Sequence, residues 1–187
     1  FSDVDISADT GTSATDFNTK TAAQTLTGEL SAAMAADDIL QVSVDAGSNW
    51  ATVTNDVTGD PDVDLDTDIT LSGTSAIHLR ITDDAGNVGT ADTTSYILDT
   101  TAPTISFSSV DISADTGSSA TDFITKTAAQ TLTGTLSAAM ASDDILKVSV
   151  DACSSWDDVT SDVTGSPDTA LSTAITLSGT SAIHLQI

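Results

Sequence analysis

The chain is short of most things that brace a small fold or recognise a charged partner. It has one cysteine, three prolines, and four Lys/Arg against 28 Asp/Glu. A single cysteine excludes an intrachain disulfide framework. Four scattered basic residues cannot form the basic face that binding to nucleic acid or to an anionic membrane surface requires. No apolar run approaches the ~18 residues of a membrane-spanning helix. No basic segment followed by an apolar one opens the chain in the manner of a signal peptide. Phe1 rather than Met comes first, so an upstream targeting signal is compatible with the sequence. Aromatic residues make up only 4 %, which leaves the core to Val, Leu, Ile and Ala. Glutamate is nearly absent as well: Glu29 stands alone among 27 aspartates.

What remains is acidic, hydroxyl-rich and moderately apolar. The 187 residues carry a formal charge of −24, with 33 Thr and 25 Ser. Hydrophobic residues reach 39 % and mean hydropathy is +0.09, so the composition is that of a folded chain despite the charge. Length allows one large domain or two of about 100 residues.

An internal repeat chooses between these. "FSDVDISADTGTSATDF" at residue 1 returns as "FSSVDISADTGSSATDF" at residue 107, and "LSGTSAIHL" at 71 returns at 177. The offset is 106 residues without a gap, and 64 of 81 aligned positions are identical. A period of that length is too long for a solenoid and has the size of a domain with its own core. The expected organisation is a module over residues 1–101, a linker over 102–106 and a second module over 107–187. The second copy stops at Ile187, before any counterpart of residues 82–106. A longer parent array is therefore expected, and the second module is expected to be incomplete, with an unpaired sheet edge.

The apolar period is two. Val4 and Ile6, Leu26 and Leu30, Leu40 to Val44, and Ile77 to Ile81 each alternate with polar residues. "WATVT" from Trp50, "DITL" ending at Leu71 and "TTSYIL" before Asp99 complete seven predicted strands, separated by turns such as "DAGSN" and "DDAGN". The segment 30–38 has helix-forming alanines but is too short for a stable helix, and reads as a loop with one helical turn at most. Seven short strands in about 100 residues predict an all-β sandwich of two antiparallel sheets. A barrel is the competing architecture.

Alternating strands put three loops at one end of such a module. That end gathers Asp37, Asp38, Asp56, Asp60, Asp62, Asp64, Asp66, Asp83 and Asp84, while Asp99 leaves at the other. In an array, Asp99 of one module should approach Asp143 and Asp144 of the next, with Asp111 and Asp115 nearby. Crowded carboxylates repel unless a cation neutralises them, and oxygen-only donors on short loops suit Ca²⁺. A solvated acidic surface, as in a protein from a salty environment, is the competing reading at this point.

"ADTGTSATDF" (8–17), "VSVDAGSNW" (42–50), "ITDDAGNVG" (81–89) and "YILDTTAPTISF" (96–107) occur in this order within one period. Together they resemble the Ig-like tandem repeats of giant RTX-type, type I-secreted bacterial surface adhesins. The resemblance implies tandem Ig-like Greek-key β-sandwich domains in an extracellular extender that holds an adhesive tip away from the cell. Partners would be neighbouring repeats of the same chain. It also implies Ca²⁺ at the junctions, with Asp99 as the linker ligand and Asp83 and Asp84 as loop ligands. Asp37, Asp38, Asp143 and Asp144 follow from the loop placement above. The alternative function is a glycan- or protein-binding module in cell adhesion.

Other candidates read as structural. His78 and His184 sit on the polar phase of one strand with no second ligand for a metal. No base lies near any serine or threonine in a nucleophilic arrangement, so no enzyme is expected. Trp50 and Trp156 follow a hairpin and are expected to pack on the sandwich rather than bind sugar. Cys153 replaces Gly47, and the turn there is expected to differ slightly between copies. The threonines do not repeat at the short period that an ice- or mineral-binding face needs.

Overall fold

Strict alternation places apolar side chains on one face of a strand and polar ones on the other. A computed structural model gives the fold of residues 1–187; the side chain of Asp62 lies outside the described residues. The chain divides into two compact units, Phe1–Thr101 and Ala102–Ile187.

The first unit has strands β1 (Ser2–Ile6), β2 (Asn18–Thr19), β3 (Ala23–Glu29), β4 (Ile39–Ser43) and β5 (Ala51–Thr52). Then follow β6 (Val57–Gly59), β7 (Asp62–Thr70), β8 (Thr74–Thr82) and β9 (Asp92–Leu98). One sheet has the order β1-β3-β7-β6 and the other β2-β9-β8-β4-β5. Ile6, Leu26 and Leu65 of the first sheet share a single core with Leu40, Ile77 and Leu79 of the second. Two sheets closed over one apolar layer make this unit an all-β sandwich.

Nine strands form where seven are predicted. The additions are short β2, which runs parallel to β9, and β6. "WATVT" contracts to Ala51–Thr52, whereas the strand expected only at "DITL" extends over nine residues. Asp64, Asp66 and Asp68 therefore lie on the outward face of β7, not in a loop at one end. Thr25 Oγ1 donates to Asp68 Oδ1 at 3.2 Å across the sheet. The alanine-rich segment before β4 forms no helix; Ala35 N donates to Asp38 Oδ2 at 3.0 Å in a tight turn.

Two buried polar side chains lock the loops onto this frame. Gln24 accepts from Ala8 N at 2.8 Å, and its Nε2 donates to Ala8 O, Thr19 Oγ1 and Thr21 O. It thus ties the exit of β1 to the flanks of β2. Tyr96, almost wholly enclosed, donates its hydroxyl to Val44 O at 2.7 Å and accepts from Ser72 N at 3.2 Å. One side chain of β9 thereby pins the turns after β4 and β7.

The second unit repeats the plan with β10 (Phe107–Ile112), β11 (Ala129–Leu136), β12 (Lys147–Ser149) and β13 (Asp157–Asp158). It continues with β14 (Val163–Gly165), β15 (Asp168–Thr176) and β16 (His184–Gln186). Its sheets run β10-β11-β15-β14 and β13-β12-β16, leaving β16 as an edge. Gln130 repeats the Gln24 network.

The hairpin turn before each tryptophan is conserved in form, contrary to expectation. Ala46 and Gly47 have φ of 55° and 83°, and Ala152 and Cys153 have 58° and 67°. Gly47 N and Cys153 N both donate to the buried serine four residues earlier at 2.9 Å. Cysteine thus occupies a left-handed position without changing the turn, and its Cβ is strained there.

Two stability measurements test these contacts. Cys153→Gly should raise the stability of the second unit by about 1 kcal/mol in denaturant unfolding, by relieving that strain. Gln24→Ala should lower the stability of the first unit by about 2 kcal/mol, since it removes the partner of Ala8 N and Thr21 O.

Candidate metal centre

The predicted ligands fall on three kinds of loop. Asp37 and Asp38 lie between β3 and β4, Asp83 and Asp84 between β8 and β9, and Asp99 follows β9. Ile39 pairs with Thr82, so the first two loops emerge side by side at one end of the five-stranded sheet. Ile97 pairs with Thr74 at the other end of β8, where Asp99 leaves. At about 3.3 Å per residue, a nine-residue strand separates these ends by about 26 Å. Asp99 and Asp83 of one unit therefore cannot share an ion. Asp143 and Asp144 occupy the turn before β12 in the second unit.

Several of these carboxylates already serve their own loops. Asn87 donates its backbone N–H and its side-chain amide to the two oxygens of Asp83, each at 2.8 Å. These bonds, the side-chain one foremost, hold the Asp83 carboxyl below its ordinary pKa. Thr101 N donates to Asp99 Oδ1 at 2.8 Å, while Asp99 N continues the β2–β9 pairing by donating to Thr19 O at 2.9 Å. Ala141 N donates to Asp144 Oδ2 at 2.8 Å, as Ala35 N does to Asp38. Asp37, Asp84 and Asp143 are exposed.

The donor chemistry, oxygen throughout, suits a hard cation such as Ca²⁺. Geometrically, no group of three or more His, Cys, Asp or Glu close enough to hold a metal ion forms among the described residues. The carboxylates of one unit thus do not by themselves supply the six to eight oxygens typical of Ca²⁺.

One acidic position that sequence reasoning set near the junction, as Asp115 in the second copy, has a duty within its own unit. Asp9 Oδ2 accepts from Phe17 N at 2.9 Å, and Asp115 Oδ2 accepts from Phe123 N at the same distance. In both copies the other oxygen, Oδ1, is screened from solvent without a hydrogen-bond partner. The repeated "ADTG" and "TDF" flank this contact, but only the fold shows that the carboxylate caps a phenylalanine with φ of 59°.

The tryptophan and histidine of the first unit form one cluster. The Arg80 guanidinium lies 3.7 Å from the Trp50 ring centroid, and Arg80 Nε donates to Gln41 Oε1 at 3.0 Å. Trp50 Nε1 donates to Gly47 O at 3.0 Å, and His78 meets the indole edge-on at 6.3 Å between ring centroids. Arg80 therefore covers one face of the indole. The second copy has Gln186 in place of Arg80 and Lys147 in place of Gln41.

No family model, curated protein or solved structure matches the chain.

The hairpin acids give a pH test. The Asn49 side chain, with Asn49 N and Ser43 Oγ, lowers the Asp45 carboxyl from 3.8 to about 2; Ser155 and Ser149 do the same for Asp151. A depressed carboxylate stabilises the turn above its unfolded value and loses that contribution as pH falls through its folded value. Amide exchange should therefore show Asn49 and Ser155 losing protection between about pH 4 and pH 2. Asp45→Ala should abolish that dependence at Asn49 alone.

Proposed function

We propose that the chain is a pair of structural extender repeats from a bacterial cell-surface adhesin of the RTX type, working outside the cell. The observation that carries this reading is the gapless repeat of 106 residues, one sandwich per period. A tandem of similar modules suits length and spacing.

The finer fold assignment is part of this proposal. Lettered A to G with β2 as a split-off piece of the first strand, the first unit runs A-B-E-D in one sheet and A′-G-F-C-C′ in the other. These orders support an Ig-like Greek-key sandwich.

Junctional Ca²⁺ is the mechanical element. Asp99 lies about 26 Å from the loop carboxylates of its own unit, so any ion it shares must draw ligands from elsewhere. Asp143 and Asp144 of the following repeat are the assigned partners, and Asp83, Asp84, Asp37 and Asp38 would play that part toward a preceding repeat. Pro103 restricts both its own backbone and that of Ala102, which removes part of the hinge freedom. Extracellular modules bind Ca²⁺ at about 10⁻⁴–10⁻³ M, so such sites fill outside a cell and empty within it. The array would stay slack before export and stiffen after it.

X-ray scattering of the full chain should show a longer maximum dimension and a narrower interdomain distance distribution in millimolar Ca²⁺ than in chelator. Asp99→Ala should remove the main calorimetric Ca²⁺ signal and leave the scattering insensitive to chelator. Identical scattering with and without Ca²⁺ would rule out the clamp, and an unchanged titration of Asp99→Ala would remove that residue from it.

A further inference from the structure

Positive charge is the scarcest chemistry in the chain, and its four carriers fall on two positions of the module. Lys20 and Lys126 are equivalents at the 106-residue offset. The other two share one cross-strand pair. Arg80 on β8 stands opposite Gln41 on β4, and Lys147 on β12 stands opposite Gln186 on β16. The strand that carries the cation changes between the units, but each keeps one cation and one carboxamide there.

Around Arg80 the sheet face is free of acid. Leu40, Val42, Ile77, Leu79 and Tyr96 point into the core, so the alternate positions face outward. There β8 presents His78, Arg80 and Thr82, β4 presents Gln41, and β9 presents Thr93 and Ser95. No outward position of these three strands holds a carboxylate. The other sheet of the same unit is the reverse, with Glu29, Asp64, Asp66 and Asp68 exposed on β3 and β7.

The arginine is also held ready. Its guanidinium lies 3.7 Å from the Trp50 ring centroid, and its Nε donates to Gln41 Oε1 at 3.0 Å. Trp50 is fixed in turn by its Nε1–H on Gly47 O. These contacts occupy one ring face and Nε, and leave the two terminal nitrogens, the fork that pairs with a carboxylate. Among the described residues the guanidinium bonds no carboxylate, although the chain carries 28 acidic residues. In the second unit Lys147 stands opposite Asp158, where the first unit has Thr52.

We infer that this face of the first unit binds a carboxylate-bearing sugar, a uronic acid within a polysaccharide. The Arg80 fork takes the carboxylate in two parallel hydrogen bonds, with Trp50 and Gln41 holding it in place beforehand. The amide N–H of Gln41, the His78 ring and the Thr93 hydroxyl opposite it address the sugar hydroxyls. Carboxamide, imidazole and hydroxyl groups on an open sheet face suit a polyhydroxylated ligand better than the side chains of an acidic peptide. Both sides of β8 are paired, with β4 and β9, so no peptide strand can add beside Arg80.

The test uses the full chain with tetragalacturonate as probe and a neutral glucose tetramer as control, in 0.15 M salt without added Ca²⁺. Exposed charges further away than about 8 Å are largely screened there, and omitting Ca²⁺ separates this result from the junctional clamp. Nuclear magnetic resonance should show saturable shifts at Arg80 Nε–H, the Trp50 indole N–H and the amides of Gln41, His78 and Thr93. The Trp156 indole N–H of the second unit should stay still. Arg80→Lys should weaken binding at least about tenfold by losing the fork, and Arg80→Gln should abolish it, with the rest of each spectrum unchanged. Equal shifts with the neutral tetramer would overturn the proposal, as would unchanged binding by Arg80→Gln. A shift of Trp156 as large as that of Trp50 would remove the first unit's arginine as the cause. Binding of tetra-aspartate as tight as that of the uronate would assign the face to acidic peptides and overturn the sugar.

Discussion

The second sheet of each sandwich depends on one strand lying between two others. In the first unit β9 fills that place, pairing antiparallel with β8 and parallel with β2. Its tyrosine is the only one in the chain and bonds the backbone of two separate turns. With aromatics at 4 % and no disulfide possible, few other side chains can span the sandwich. The second unit gives the contrast within the same molecule. Where no such strand lies alongside, the neighbouring strand shortens to three residues and the counterpart of β2 does not pair. The four-stranded sheet is unaffected, since β10-β11-β15-β14 reproduces the order of its twin. Closure is thus local to one sheet, and the Gln130 network survives without it.

The acidic charge divides by what each carboxylate faces. Asp45, Asp83 and Asp151 each accept from a backbone N–H and a side-chain donor four residues on, which explains why Asp rather than Glu fills these turns. The short stem reaches donors of its own loop with little side-chain entropy to lose. A second set lies on the outward face of β7, where Asp64 stands opposite Glu29 and gains nothing from it. The third set, Asp37, Asp84 and Asp143, is exposed at loop tips. This set makes no side-chain hydrogen bond of its own, so the case for a bound cation rests on it and on Asp99 more than on the total charge.

Much of the fold was legible because alternation is a direct image of a two-faced sheet. Leu26, Leu40, Ile77 and Tyr96 fall in strands at the expected phase and reach the core. The errors have identifiable causes. "DVDLDTDIT" alternates strictly over nine residues, yet its aspartates look like loop residues by propensity, so only its last part was read as strand. Tertiary pairing overrode that propensity. β2 and β6 are too short to show any period, and they exist because neighbouring strands offer them edges. For the candidate site, the turn signals "DDAGN" and "DAGSN" were visible, but not that Asn87 and Asn49 would occupy the carboxylates. Strand alternation put the β3–β4 and β8–β9 loops at one sheet end, as the Ile39–Thr82 pairing has them, but also counted Asp64 and Asp66 of β7 there. The distance between carboxylates on those loops does not follow from alternation at all.

The two copies differ at 17 aligned positions, and none of these is buried in the first unit. The core has therefore been kept while the surface changed, from Asp64, Asp66 and Asp68 to Ala170, Ser172 and Ala174. Differences in burial between the units thus cannot come from different cores; they come from the neighbouring strand. An unchanged core also means that a strand fitting one slot fits the other, which is the condition under which adjacent repeats misassemble.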